Sequence, residues 1–339
     1  MSTSAGVTWA IERGQKPDSR FAHSQVMAAP PSPRLRVQLG PLQLANPIMP
    51  ASGCFGPQLA PLIPAHRLGA VVTKTVFGAV RSGNPAHRLT DVPNGMLNSV
   101  GIPSPGLVGF SAEVLPRYRA LGSPVIVSIG GLSVHDYWEL ASGLENDQFE
   151  AFEVNVSCPN LEHGGLEIGA DPVSLAQVTA GVCDRAAGRA VIVKLSPNVA
   201  SIAELARAAE AAGAAAVTVA NTFVGMRLDV VSRRAVLGNG VGGLSGPSVL
   251  PLVMRLVYEA SQAVAIPVIA CGGINTVRDV AEYLIAGATA VQVGTATFTR
   301  PSTMTELVHE LEPLLDSLGV ERLVDLIGTL IADDRDIDG

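Results

Sequence analysis

Cys158 stands in the run Asn155-Val156-Ser157-Cys158-Pro159-Asn160, directly after the β-branched, alternating stretch 152–156 and just before Gly164-Gly165. That order of residue types predicts a strand ending in a turn-rich loop that carries a thiol. Most free cysteines are small buried hydrophobes, but a thiol on a loop beyond a strand can also take a proton. Lys74 and Lys194 each close an apolar run, Ala70-Val71-Val72-Thr73 and Val191-Ile192-Val193. An ammonium placed there either reaches past the strand end to water or is buried and needs an anion beside it. An anionic cofactor or a substrate carboxylate would satisfy both lysines at one site. Asn98, Asn155, Asn160 and Asn221 can read the donors and acceptors of a planar, amide-bearing ring, although each alone also suits a turn. Gly272-Gly273 and Gly294-Thr295 follow two further apolar runs, and Gly246 sits in Gly242-Gly243-Leu244-Ser245-Gly246-Pro247. Their backbone amides are candidates for a phosphate. No histidine completes a triad with Cys158; His163 is the nearest in sequence, so a cysteine hydrolase is a poor reading.

These residues need a frame that brings them together. Eight short apolar runs recur along the chain, at 47–50, 70–73, 125–128, 154–156, 191–194, 217–220, 268–270 and 291–293. Runs that are almost continuously Val and Ile predict parallel strands covered on both faces. A closed α/β barrel uses eight such strands and gathers its chemistry at their C-terminal ends. An open doubly wound sheet remains the alternative, because a strand count does not establish closure. Between the strands, Ser201-Ile202-Ala203-Glu204 reads as a capping box opening a helix over 202–212, which stops at Gly213. Ser133 and Thr276 are expected to cap helices reaching about 142 and 286, and a last helix near 303–317 leads to Gly319. The stretch 77–109, rich in Gly, Pro and Asn, is expected to fold over the barrel mouth.

Composition narrows the functions. Hydrophobic residues make up 47% of 339 and charged ones 16%, with 35 Gly and 24 Pro, as suits a folded α/β protein with many short connections. A formal charge of −7 without any basic run argues against nucleic-acid binding. Cys54, Cys158, Cys183 and Cys271 are far apart and form no C-x-x-C pair, so neither a structural zinc nor an iron–sulfur cluster is expected in this chain. The first 33 residues lack the apolar core of a signal peptide, and no membrane-spanning run of 18 apolar residues occurs. A reducing cytoplasm is the expected location. The expected division is a flexible extension over 1–33, a barrel over 34–318 with insertions at its mouth, and a C-terminal segment over 319–339.

The motifs NPIMPASG (46–53), VVTKT (71–75), GNPxxR (83–88), GMLNSVGI (95–102), NVSCPN (155–160), VIVKLSPN (191–198), GGLSGP (242–247), ACGGI (270–274) and VQVGTA (291–296) together resemble the class 1 dihydroorotate dehydrogenases. The likeness extends from about Val37 to Glu312. It implies a single-domain (β/α)8 barrel that binds flavin mononucleotide (FMN) and oxidises dihydroorotate to orotate, the redox step of pyrimidine synthesis. By that resemblance Cys158 is the base that removes the C5 proton while hydride leaves C6 for flavin N5. Lys194 lies beside the flavin N1–C2 carbonyl, and Lys74 contacts flavin and the orotate carboxylate. Asn98, Ser99, Val100, Gly101, Ile102, Asn155, Asn160, Asn221 and Thr222 match substrate-binding positions. Ser52, Gly53, Thr75, Ala220, Gly246, Gly272, Gly273, Gly294 and Thr295 match flavin contacts, as do Asn155 and the two lysines.

Some positions depart from the family pattern. Ser128 stands where an asparagine often touches flavin, Cys54 replaces a commoner threonine, and Ile102-Pro103 a commoner Leu-Gln. Cysteine rather than serine as the base is similar to class 1 and not to the membrane-associated class 2. Gly164-Gly165 and GGLSGP resemble subclass 1B, in which the barrel pairs with an iron–sulfur flavoprotein that carries FAD and a 2Fe–2S cluster and passes electrons to NAD. A homodimeric core, or a heterotetramer with that flavoprotein, is implied. A fumarate-linked subclass 1A enzyme, a flavoprotein for another dihydropyrimidine and a non-redox barrel with Lys194 as a Schiff base are the alternatives.

Overall fold

The computed structural model describes residues 32–156 and 168–331. Cys158, Asn160, His163 and Gly164-Gly165 lie outside the described residues, as do positions 1–31 and 332–339.

Eight parallel strands form one sheet: β1 (Ile48–Pro50), β2 (Val71–Val72), β3 (Val125–Ile129), β4 (Ala151–Asn155), β5 (Ala190–Lys194), β6 (Ala216–Val219), β7 (Val268–Cys271) and β8 (Ala288–Val293). From β2 to β8 each pairs with the next in sequence, and β8 pairs in parallel with β1. The sheet closes between β1 and β2, where the Gly69 N–H donates to the Ile48 carbonyl at 2.8 Å. Glycine is needed there, because a Cβ at position 69 would lie 2.0 Å from the Asn46 carbonyl oxygen. Asn46 braces the same seam, donating to the Arg67 carbonyl at 2.8 Å and accepting from the Ile48 N–H at 3.1 Å. The (β/α)8 barrel is therefore the fold, and the open sheet is excluded. All eight apolar runs became strands because both faces are dry: every residue of β3, β4 and β5 is buried.

The outer helices start and stop where local chemistry directs. Ser133 and Thr276 form full capping boxes with Asp136 and Asp279, at the heads of α1 (Val134–Gly143) and α5 (Val277–Ile285). Other long helices are α2 (Pro172–Cys183), α3 (Ile202–Ala211), α4 (Leu250–Ala263) and α6 (Thr303–Leu318). Ser201 accepts from the Glu204 N–H at 3.2 Å to cap α3, but the expected return bond from the Glu204 carboxylate is not made, so only half of that box forms. At the end of α6, Gly319 takes the left-handed conformation, φ +67°, that glycine allows without strain.

The long β2–β3 connection does cover the mouth. Its hairpin Leu89–Val92 and Gly95–Asn98 joins Gly242–Ser245 and Phe223–Gly225, from the β6–β7 connection, in a four-stranded antiparallel sheet. At the other end a short hairpin, Val37–Leu39 and Leu42–Leu44, packs on Ala215 just before β6. Among the described residues no helix is long and apolar enough to cross a membrane.

Candidate active site

At the C-terminal ends of the strands lies a cavity with about 1370 Å3 of empty space, open mouth included.

Its floor is Lys194, the last residue of β5 and only 5% exposed. The ammonium donates to Gln292 Oε1 of β8 at 3.1 Å. Gln292 Nε2 in turn donates to Glu153 Oε2 of β4, which also accepts from Thr218 Oγ1 of β6 at 3.4 Å. Burial alone would lower the Lys194 pKa, but Cys271, Glu153 and Cys54 outweigh it and hold the value above that of an ordinary lysine. Burial pushes both thiols up as well, Cys54 to about 12. Glu153 is the acidic side chain on the far side of Gln292 from Lys194.

A polar rail runs round the rim from β1 to the end of β6. Ser52 Oγ donates to the Thr73 carbonyl at 2.8 Å and lies 3.2 Å from Thr75 Oγ1. Asn155 Nδ2 donates to Thr75 Oγ1 at 3.1 Å, and Asn221 Nδ2 donates to Asn155 Oδ1 at 3.3 Å. The Thr222 N–H then donates to Asn221 Oδ1 at 2.8 Å. Behind the rail, Tyr137 of α1 donates its hydroxyl to the Asn155 carbonyl at 2.9 Å. Asn198 fixes the loop after β6 by donating to the Thr222 carbonyl and accepting from the Val224 N–H.

Three glycine turns close the opposite side. Gly272 and Gly273 are wedged against the head of α4: Gly273 has φ +77°, and a Cβ on it would meet Leu250 Cβ at 2.5 Å. Tyr283 holds this turn by donating to the Gly272 carbonyl at 2.7 Å. Gly246, φ +107°, has Gly95 of the mouth sheet against it. Gly294 differs, because a Cβ there would meet only Cys54 Sγ at 3.6 Å and Ala51 Cβ at 3.7 Å. Packing does not demand a glycine at 294; a side chain would instead take up space in the cavity.

Lys74 is exposed to the cavity, unlike Lys194, so of the two readings left open for these lysines burial holds for Lys194 and an open position for Lys74. Its pKa is lowered, first by desolvation from the cavity walls and then by the Arg88 guanidinium. Arg88 is held by donating to the Asn84 carbonyl at 2.6 Å and the Ser82 carbonyl at 3.0 Å. From the mouth sheet Leu89, Met96, Asn98 and Leu244 face the same space.

The dihydroorotate dehydrogenase sequence model matches residues 34–315. The chain is 44% identical over 298 residues to the dihydroorotate dehydrogenase B (NAD(+)) catalytic subunit of Halalkalibacterium halodurans, covering 87% of this chain and 97% of that one. The protein of the same name from Geobacillus kaustophilus is 45% identical over 298 residues, with 87% and 95% covered. That from Pelobacter propionicus is 43% identical over 301 residues, with 88% and 99% covered. The chain belongs to the dihydroorotate dehydrogenase family.

Of the positions matched to the family's motifs, Ser52, Gly53, Lys74, Thr75, Asn98, Val100, Gly101, Ile102, Asn155, Lys194, Ala220, Asn221, Thr222, Gly246, Gly272, Gly273, Gly294 and Thr295 all line this one cavity. Ser99 and Ser128 stand back from it. The buried Ser99 hydroxyl accepts from Asn84 Nδ2 at 3.0 Å, and the buried Ser128 hydroxyl is bonded to Thr75 Oγ1 at 2.9 Å. Ser128 therefore reaches the rim only through Thr75. Cys158 and Asn160 fall outside the described residues. Reading the family motifs missed Glu153, Gln292 and Cys271. The available signal was a charged residue in the middle of a strand covered on both faces, since a carboxylate is almost never fully buried unless paired.

Proposed function

We propose that this chain is the catalytic subunit of an NAD-linked dihydroorotate dehydrogenase, oxidising dihydroorotate to orotate for pyrimidine synthesis in the cytoplasm, with FMN as its own cofactor. The observation that carries this reading is the buried Lys194 ammonium at the floor of a cavity whose far side is ringed by glycine backbone.

The residues suit FMN. Gly294 leaves open a space that a Cβ would fill, and Gly246, Gly272, Gly273 and Thr295 offer backbone amides to a phosphate. Ser52, Gly53, Thr75 and Ala220 would flank the ring system, with Asn155 at its edge and Lys194 supplying positive charge. FMN, when bound, supplies a ring that accepts a hydride. Lys74 holds the substrate carboxylate by a charge-assisted bond. Asn98, Asn155, Asn160, Asn221 and Thr222 orient the dihydropyrimidine ring, and 100–102 form the wall beside it. Cys158 then takes the proton from C5 as general base; a thiol near its usual pKa is mostly protonated at neutral pH, so the site must favour the thiolate once substrate is in place.

The alternative of a Schiff-base lysine fares poorly. Such chemistry needs a lysine that loses its proton easily, and Lys194 holds its proton more firmly than usual. For the acceptor, the names of the relatives favour NAD over fumarate. With no C-x-x-C pair in this chain, a partner subunit with FAD and a 2Fe–2S cluster would carry the electrons, joined to a homodimeric core as a heterotetramer.

The test is anaerobic reduction. Purified protein should be yellow and bleach with dihydroorotate but not with dihydrouracil, which offers Lys74 no carboxylate. Cys158→Ala should keep its flavin and bleach about 10²–10⁴-fold more slowly, as expected for loss of a general base. Unchanged bleaching would remove Cys158 from the mechanism. Yellow protein that dihydroorotate never reduces would remove the substrate assignment.

A further inference from the structure

Behind Lys194, away from the cavity, the barrel interior holds a chain of polar groups that the chemistry above does not use. Glu153, Gln292 and Thr218 are fully buried. Lys194 and Glu153 make no direct ion pair among the described residues, and Gln292 stands between them. The direction of the chain is set at one end. An ammonium has donors only, so the Gln292 oxygen must face Lys194. Its NH2 group is thereby turned toward Glu153, which must accept. Thr218 donates to the same carboxylate oxygen, while Glu153 Oε1 has no hydrogen-bond partner among the described residues. A buried carboxylate with one oxygen unsatisfied is costly, and placing one on β4, two residues before Asn155, calls for a compensating gain.

We propose that Glu153 is a positioning residue for Lys194, acting through the oriented amide of Gln292 to fix where the ammonium sits and to set the net charge it presents to the cavity. The consequence at a bound ring rests on the FMN reading; the coupling of Glu153 to Lys194 does not. Lys194 alone would present a full positive charge to a bound ring. With Glu153 behind it, that field is partly offset, and the relay keeps the ammonium from swinging toward the carboxylate.

Two measurements test this. The first needs no flavin: thermal melts of Glu153→Gln, Lys194→Met and the double variant, repeated in a Gln292→Met background. Each single change should lower Tm, and the double variant should lose less than the sum, because each single change strands the other buried charge. With Gln292→Met that shortfall should shrink. Additive losses in both backgrounds would overturn the coupling. The second is the midpoint potential of bound FMN. Lys194→Met should shift it negative and Glu153→Gln positive, the latter by about a tenfold change in the ratio of affinities for reduced and oxidised flavin, or about 30 mV for a two-electron couple. A merely structural Glu153 would lower Tm and leave the potential where it was, and that result, or a negative shift, would overturn the proposal. Wild-type protein that takes up no flavin would instead defeat the functional reading, with the melts still deciding the coupling.

Discussion

The floor and the wall of the cavity each carry a lysine, and the protein treats the two in opposite ways. Lys194 is buried on a barrel strand and finds its compensation within the chain, in Gln292 and, beyond it, Glu153. Lys74 stands on the open side with a guanidinium near it and no ion-pair partner among the described residues. Burial explains the difference. A charge sealed in a barrel must be compensated before any ligand arrives, whereas a charge facing an open cavity can keep its water until a ligand replaces it. The floor is thus organised in advance, and the wall is completed by what binds.

Lys194→Met should produce the largest change. Removing one member of a buried charged pair strands the other, at a cost of about 3–5 kcal/mol, and denaturant unfolding should show it together with weakened flavin retention. A variant of wild-type stability would mean that the floor is no more organised in advance than the wall. Lys74→Ala is the counterpart. Its stability should stay within about 0.5 kcal/mol of wild type, as for other substitutions away from buried networks. Orotate affinity, followed by flavin absorbance, should fall about ten- to a hundredfold, the worth of a hydrogen bond to a charged group. A loss of stability without a loss of affinity would reverse the two roles.

The glycines sharpen the contrast at smaller cost. Gly273→Ala forces a Cβ into Leu250 at a left-handed φ, so stability should drop by about 1–3 kcal/mol. At Gly294 a Cβ has room against the protein, so Gly294→Ala should fold as wild type yet bind FMN less tightly. If both variants behaved alike, glycine 294 would be a packing residue and not an opening left for a ligand.

Why the sequence revealed one region better than the other follows from the same physics. The strands were legible because parallel strands covered on both faces leave uninterrupted Val and Ile runs, and the cavity-facing motifs lie at their ends. Barrel closure was not legible, since it rests on Gly69 meeting the Asn46 carbonyl across a seam, a contact that local pattern does not encode. Glu153 escaped notice for a related reason. In the alternating run 152–156 a charged residue reads as the solvent face of a strand, but in a closed barrel that face is the interior, and only the partner from β8 reveals its purpose. Ser99 and Ser128 show the converse, where matching positions stood in the right motifs but their hydroxyls turn to Asn84 and Thr75.

The smallest effect expected is a displacement in pH, and it separates the two lysines most cleanly. Substrate carboxylate binds protonated Lys74, so affinity should fall as pH rises through the Lys74 pKa. Desolvation and Arg88 both lower that pKa, which sets the fall below the ~10.4 of an ordinary lysine. Arg88→Gln removes the second cause and keeps a side chain able to donate to the Asn84 and Ser82 carbonyls. The alkaline limb of orotate binding should then move to higher pH, with the Lys194-dependent flavin potential unchanged. A limb that stays in place would show that the cavity walls alone set the Lys74 charge. A limb that moves together with the flavin potential would show that wall and floor are electrostatically one region, and the contrast between a floor compensated in advance and a wall awaiting its ligand would fail.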